Sequence, residues 1–178
     1  MVRFFMFALF LFLSIRMYCQ SATAPVSYQK NAIAVEALGH SRSLISVNYE
    51  RFLKPQMKNF LFSFRTGIGY TPGTDIGSKR LQGAAYVPLV LSALVGNKKH
   101  FAQFGLGYTA AFGHNFVDST TSPPTIYQKF ESAYIISLGY RYMNYHGVMI
   151  QLYPLLQWTN NPTDKFAVGF GLSIGEIF

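Results

Sequence analysis

Two groups of side chains in this sequence are of the types that catalyse acyl transfer. His40 stands beside Ser41 and Ser43, and the stretch 114–119 contains His, Asp and Ser. General-base catalysis needs an imidazole within hydrogen-bond reach of a hydroxyl, with an acid to orient the ring. Loop Ser and His residues are common, and the two groups need not lie on adjoining strands. We therefore expect no catalytic residues, with an enzyme as the less favoured alternative.

The residue types that hold metals or phosphates show no useful spacing. The 4 histidines are far apart, and none is two or four residues from another. The glycines of "GIGYTPG" and "GLGYTAAFG" follow a strand alternation and do not form a phosphate loop. The sequence predicts no metal site and no cofactor.

The start of the chain has the pattern of an export signal. Arg3 precedes an almost entirely apolar stretch over 4–15, which is shorter than the roughly 20 residues that a spanning helix needs. We expect a signal peptide over 1–19 and a short periplasmic segment over 20–30. Tyr18 and Arg16 argue against lipid attachment at Cys19, the single cysteine.

Composition indicates a membrane protein that crosses the bilayer with strands. The 178 residues are 50% hydrophobic and only 12% charged, and they include 17 Phe and 12 Tyr, whereas charged residues make up about 25% of ordinary soluble domains. Beyond the signal, no apolar run reaches the length of a spanning helix. Only helices and closed barrels satisfy their backbone polar groups in lipid. The net charge of +8 is scattered along the chain, so nucleic acid is not an expected partner.

Alternation with a period of two predicts an all-β fold, an eight-stranded antiparallel up-and-down transmembrane β-barrel over 31–178. Eight is an even number, as bacterial single-chain barrels require. The predicted strands are 31–40, 43–53, 59–70, 81–95, 100–113, 130–142, 147–158 and 165–178.

The connections between these strands alternate in length. Short periplasmic turns and longer outer loops are typical of such barrels, so both termini are expected in the periplasm. The predicted inner turns are 54–58, 96–99 and 143–146. The predicted outer loops are 41–42, 71–80, 114–129 and 159–164. We expect the loop over 114–129 to contact partners, because loops carry function on a rigid frame.

The side chains on the polar face of each strand are expected to fill the lumen. An eight-stranded barrel has room only for side chains or one small ligand, and buried charges need partners. We predict a plugged lumen in which charges are paired, with Glu36, Asn48 and Arg65 at similar height. A structural network is favoured over a proton or ligand site. The lumen set is Glu36, Asn48, Glu50, Arg65, Gln103, Arg141 and Gln151.

The strands "SLGYRYM" and "FAQFGLGYTAAF" and the terminal phenylalanine resemble small Gram-negative outer-membrane barrels of the OmpX and OmpA type. The end of the chain is similar to the assembly signal of that class, which the insertion machinery reads, although Glu176 departs from its third-last position. The matching residues are Phe170, Leu172, Ile174 and Phe178. The resemblance implies an outer-membrane location and membrane lipid as a partner.

Function is expected to reside outside the lumen. We expect a monomer with a structural, adhesive or protective role. The alternatives are a lipid A acyl-modifying enzyme and a lipocalin-like carrier of a small apolar ligand. Cations near the outer strand ends are expected to contact lipopolysaccharide phosphates; they are Lys79, Arg80, Lys129 and Lys165.

Overall fold

The fold is seen in a computed structural model, which describes residues 30–53, 60–72, 74–76, 79–81, 83–97, 99–118, 125–144, 146–160 and 165–178. The predicted signal peptide and nearly all of the predicted periplasmic segment lie outside these ranges. Within them, no helix has the length and apolar character needed to cross a membrane.

The described residues form ten strands. They are β1 (Asn31–Ala37), β2 (Ile45–Leu53), β3 (Phe60–Thr71), β4 (Thr74–Ile76), β5 (Lys79–Leu81), β6 (Ala84–Asn97), β7 (His100–Asp118), β8 (Thr125–Met143), β9 (Val148–Thr159) and β10 (Phe166–Ile177).

Eight of these strands close into one antiparallel barrel, as predicted. The order is β1-β2-β3-β6-β7-β8-β9-β10, and β1 pairs back onto β10, with Val35 opposite Ile174. Backbone bonds between Asn31 and Phe178, at 3.1 and 2.8 Å, fasten the seam at the end where the chain stops. The remaining strands, β4 and β5, form a short hairpin outside the ring.

The two faces of each strand separate by polarity. Inward side chains are buried and many are polar, whereas outward ones are apolar and exposed: Glu36 is 0% exposed and its neighbour Val35 37%. On β10 the outward Phe170 is 65% exposed, and the inward positions from Gly169 to Gly175 hold only Gly and Ser. This is the polarity of a barrel in lipid. It is opposite to that of a lipocalin-like carrier, whose apolar residues would line the lumen.

Two prolines stand inside barrel strands and interrupt the ladders beside them. Between β3 and β6 the pairs run to Thr66–Leu89 and resume at Gly69–Tyr86, skipping Pro88. Between β8 and β9 the pairs likewise skip Pro154. Because proline has no N–H to donate, each one breaks the ladder on one side while the other side stays paired.

The outer connections differ from the prediction. Residues 114–118 and 125–129, predicted as loop, are paired strand extensions of β7 and β8. The predicted loop over 71–80 contains β4 and part of β5. Composition suggested loops because Ser, Thr and Pro are frequent. A strand, however, continues as long as its backbone can pair with a neighbouring strand, and composition does not show this. The first outer turn is also wider than predicted, spanning 38–44 instead of 41–42.

Candidate functional site in the barrel lumen

Glu50 on β2 is the centre of a buried group of charges. Its Oε2 accepts bonds from Nη2 and Nε of Arg65, at 2.8 and 3.2 Å, and its Oε1 accepts one from Nη1 of Arg141 at 2.8 Å. All three side chains are at most 1% exposed. Two cations therefore share one carboxylate where the solvent does not reach.

Glu36 on β1 supplies the second negative charge. Nη1 of Arg65 donates to Oε2 of Glu36 at 2.9 Å. The hydroxyl of Tyr153 donates to the same oxygen at 2.6 Å. With two Glu and two Arg, the four central charges balance, which offsets the cost of placing ions away from water.

Two glutamines extend the network to further strands. Arg65 also donates to Oε1 of Gln151. Arg141 donates through Nε to Oε1 of Gln103 at 3.0 Å, and Gln103 donates to Ser92 at 3.2 Å. Side chains from β1, β2, β3, β6, β7, β8 and β9 are joined in this way, so the bonds run across the lumen and link strands that are not neighbours.

The alternation of the strands explains why these side chains meet. Glu50 and Arg65 are register partners on β2 and β3, and Arg141 and Gln151 are partners on β8 and β9. Partners in register point to the same face of the sheet. Barrel closure then brings the two pairs together across the lumen.

Asn48 differs from the other predicted members. It lies opposite Gly67, not Arg65, and donates to Ser46 at 3.0 Å. The expectation that Glu36, Asn48 and Arg65 share one level is wrong in register. Asn48 lies two residues before Glu50, the partner of Arg65, and Glu36 lies opposite Ser46. It is buried in the lumen but separate from the described ion pairs.

Tyr153 is a member that sequence reasoning did not single out. Its ring fills the lumen above Gly171, its register partner on β10, and a Cβ at Gly171 or Gly139 would overlap Tyr153. The signal was present in part, since the inward positions of β10 from Ala167 to Gly175 are all small and leave room for a long side chain. Which side chain enters that room depends on the register.

His40 lies inside the barrel and not on its rim. The turn 38–44 contains Leu38 and Arg42, at φ of 57° and 58°, and it folds inward so that His40 is 0% exposed. Nε2 of His40 lies 2.8 Å from Oγ of Ser137, and the ring stacks on Tyr153 with centroids 4.4 Å apart. The predicted neighbours Ser41 and Ser43 bond to each other at 2.7 Å instead.

The inward turn is tied to several walls. Thr109 on β7 donates its hydroxyl to the carbonyl of His40 at 2.5 Å, and the Ser41 N–H donates to Glu36 at 3.3 Å. Arg42 lies 3.9 Å from Glu131 on β8. These contacts join the turn both to the wall and, through Glu36, to the ion pairs.

A hydroxyl, an imidazole and a carboxylate lie next to one another in space, with the imidazole in the middle. Nδ1 of His40 is 3.6 Å from Oε2 of Glu36, while Nε2 faces Ser137. This order is that of a nucleophile, a base and an orienting acid. All three side chains are at most 1% exposed, so a substrate reaches them only if the turn moves.

The other predicted residues lie away from the lumen. The outward side chains of β10 and the terminus are about half exposed or more; they are Phe170, Leu172, Ile174 and Phe178. Lys165 is exposed just before β10. Lys79, Arg80 and Lys129 are placed by their backbone alone, in β5 and β8. The side chains of His114 and Asp118, and all of Ser119, lie outside the described part of the chain.

The comparisons with known proteins found structural likeness only. No family model and no curated protein matches the chain. The N-terminal β-barrel domain of Pseudomonas aeruginosa OprF aligns with a TM-score of 0.51 at 9% identity, over 84% of this chain and 96% of that one. The attachment invasion locus protein Ail of Yersinia pestis aligns at 0.50 and 11% identity, over 84% and 94%.

These values and the closed ring of strands lead to one conclusion about the fold. The chain has the fold of the small eight-stranded β-barrel proteins of the Gram-negative outer membrane.

Proposed function

We propose that this protein is an integral outer-membrane barrel with an adhesive role, exposing a small projecting sheet to the cell exterior. The outward apolar wall and the inward polar network support membrane insertion. A lumen that contains buried, paired charges favours a structural frame and not a pore. The attachment protein Ail has the same fold, which is compatible with this role.

The observation that carries the proposal is the length of the β7–β8 hairpin. β6 pairs with β7 only up to Phe112, and β9 pairs with β8 only as far as Ala133. Beyond those points the hairpin continues to Asp118 and Thr125. Six residues at about 3.3 Å each give a projection of about 20 Å beyond β6.

The projecting part is a sheet and not a single ribbon. β5 pairs with the outer part of β7, Lys79 opposite Asp118, and β4 pairs with β5. Among the described residues, the outer part of β8 pairs with β7 on one side only. An open strand edge offers unpaired backbone groups to another chain, so this edge is the proposed contact surface.

A bulge lies at the base of this sheet. The register between β7 and β8 shifts between Ala111 and His114, and Gly113 adopts φ of 87°. Bulges bend a strand and increase its twist. We therefore expect the projecting sheet to lie at an angle to the barrel wall that it extends.

The projection also supports an orientation. The connection at the opposite end is a tight turn, in which Oδ1 of Asn144 accepts bonds from the N–H of His146 and Val148 at 3.0 and 2.8 Å. Short turns face the periplasm in this class. We propose that both termini lie on that side, and that the cations Lys79, Arg80, Lys129 and Lys165 meet lipopolysaccharide phosphates on the other.

The test removes the projecting sheet and keeps the barrel. Replacing residues 115–128 by Asn-Gly joins His114 to Lys129, which are register partners, through a two-residue turn. Cells that express the shortened protein should keep a heat-modifiable outer-membrane barrel but lose adhesion to host cells or matrix proteins. Lys165→Gln, a charge change outside the sheet, is the control. Equal adhesion of the shortened protein would contradict the adhesive role.

A second candidate function rests on the contact between His40 and Ser137. If the inward turn opens, Ser137 is the nucleophile, His40 the base and Glu36 the orienting acid of an acyl hydrolase that acts on lipid A. A fluorophosphonate probe should then label the protein but not the Ser137→Ala variant. Unchanged lipid A acyl chains in cells with and without the protein, together with no labelling, would end this alternative.

A further inference from the structure

One cation stands out on the outer wall of the barrel. Among the barrel-strand side chains that the structure describes, Arg51 is the only Lys or Arg that faces outward. It lies two residues from the end of β2, at the end of the barrel where Asn31 and Phe178 close the seam. A charge among lipid-facing apolar residues is costly unless it reaches the interface or a partner.

Arg51 is held in place by two neighbours on the wall. Its Nη1 donates to Oδ1 of Asn31 at 3.2 Å, and the hydroxyl of Tyr49 donates to the same oxygen at 2.7 Å. Guanidinium has five N–H donors, and the bond to Asn31 uses one of them. Among the residues that the structure describes, Asn31 is the hydrogen-bond partner of the fork, and phosphate suits the bidentate geometry of the remaining donors.

An apolar groove begins beside this polar group. It has a volume of about 330 Å³ and is lined by Ile33, Val47, Tyr49 and Thr66, with Asn48 and Gly67 at its base. Thr66 is a small outward residue between the exposed Phe64 and Ile68, which leaves the depression in the wall. Tyr49 belongs to both features, since its ring borders the groove and its hydroxyl bonds to Asn31.

We propose that this wall binds one glycerophospholipid, with the phosphate on Arg51 and an acyl chain in the groove over Thr66. The order of features along β2 (cation, aromatic ring, apolar depression) matches the order of headgroup, interface and chain in a lipid. Basic side chains near the membrane surface attract the anionic headgroups of lipids. The assignment to a glycerophospholipid rests on the proposed orientation, which puts Arg51 in the periplasmic leaflet.

The test counts lipids bound to the purified, folded full-length barrel in detergent by native mass spectrometry during titration with phosphatidylglycerol. The unaltered protein should retain one lipid. Arg51→Gln should weaken this retention about fivefold, the effect expected of one cation beside an anionic headgroup. Thr66→Phe, whose ring would occupy part of the groove, should weaken retention as well.

Matched controls distinguish specific binding at this site from nonspecific lipid binding and from misfolding. Lys99→Gln removes a cation in the turn between β6 and β7, and Ala102→Leu adds bulk on the outer wall of β7; neither should change retention. Diacylglycerol, which has no phosphate, should be retained about fivefold more weakly than phosphatidylglycerol, and equally by the unaltered protein and Arg51→Gln. Heat-modifiable mobility on gels shows that each variant is folded.

Two results would overturn the proposal. One is equal retention of phosphatidylglycerol by folded Arg51→Gln, which would mean that Arg51 only reaches toward the interface. The other is preferential retention of lipid A, which would assign the site to the opposite leaflet. The variant that lacks residues 115–128 should still bind the lipid, so failure of the adhesive role and failure of this site are distinguishable.

Discussion

Glu50 and Arg141 are joined by a 2.8 Å ion pair that links β2 to β8 across the lumen. The two strands are not neighbours in the sheet. Glu50 also holds Arg65, so this single carboxylate connects three strands through two cations. The contact makes the lumen a cross-linked part of the structure.

Replacement of Glu50 by Gln should destabilise the barrel strongly. The change leaves two buried guanidinium groups with one carboxylate between them, and loss of one partner of a buried ion pair costs about 3–5 kcal/mol. Urea unfolding in lipid vesicles, followed by gel mobility, measures this. Lys165→Gln is the control because Lys165 is exposed. A midpoint equal to that of the unaltered protein would contradict the central role of Glu50.

Replacement of both Glu50 and Arg141 by uncharged residues should cost less than the sum of the single changes. Arg141→Met alone leaves Glu50 with one cation, whereas the double variant with Glu50→Gln leaves Glu36 and Arg65 as a balanced pair. Residues that contact each other show such coupling. A double-mutant cycle on unfolding free energies measures the coupling, and strict additivity would show that the pair is energetically independent.

The barrel should tolerate alanine at position 169 but not at position 171. A Cβ at Gly171 would overlap the ring of Tyr153, which is fully buried, whereas a Cβ at Gly169 would meet only the flexible end of Leu155, at 3.3 Å. Gly171→Ala should therefore cost about 1–3 kcal/mol through overpacking. Gly169→Ala, on the same face of the same strand, is the matched control. Equal unfolding midpoints for the two variants would count against the packing of Tyr153.

Loss of the His40 side chain should release the inward turn. His40→Ala removes the bond to Ser137 and the stacking on Tyr153. Trypsin should then cut after Arg42 in the folded variant but not in the unaltered barrel. His100→Ala, which removes an exposed histidine bonded to Tyr140 at 2.5 Å, should leave Arg42 protected. Protection of Arg42 in both variants would show that other bonds suffice to hold the turn.

The unaltered barrel should not conduct ions in steps across a planar bilayer. The charged side chains of the lumen are buried and bonded to one another across the barrel, so we expect them to block the passage of hydrated ions. Stable, stepwise conductance from purified protein would contradict this expectation.

The class of fold was predictable because strand alternation is local. Phe60, Phe62 and Phe64 alternate with Ser63 and Arg65 in a way that is visible in the sequence and holds in the structure. Strand ends were less predictable, since the continuation of β7 beyond Phe112 depends on β5 and β8 as partners. Composition over 114–129 does not contain that information.

The sequence by itself determined which parity of each strand is polar, and hence that Glu36, Glu50, Arg65 and Arg141 lie on the polar faces of their strands. Side-chain direction in a strand is a property of neighbouring residues, so no tertiary contact is needed to predict it. Only the tertiary structure decided that Arg141 meets Glu50, that Tyr153 fills the space over Gly171, and that His40 turns inward to Ser137. Those contacts depend on register and closure between strands far apart in the chain, where a shift of one residue would place a side chain on the opposite face.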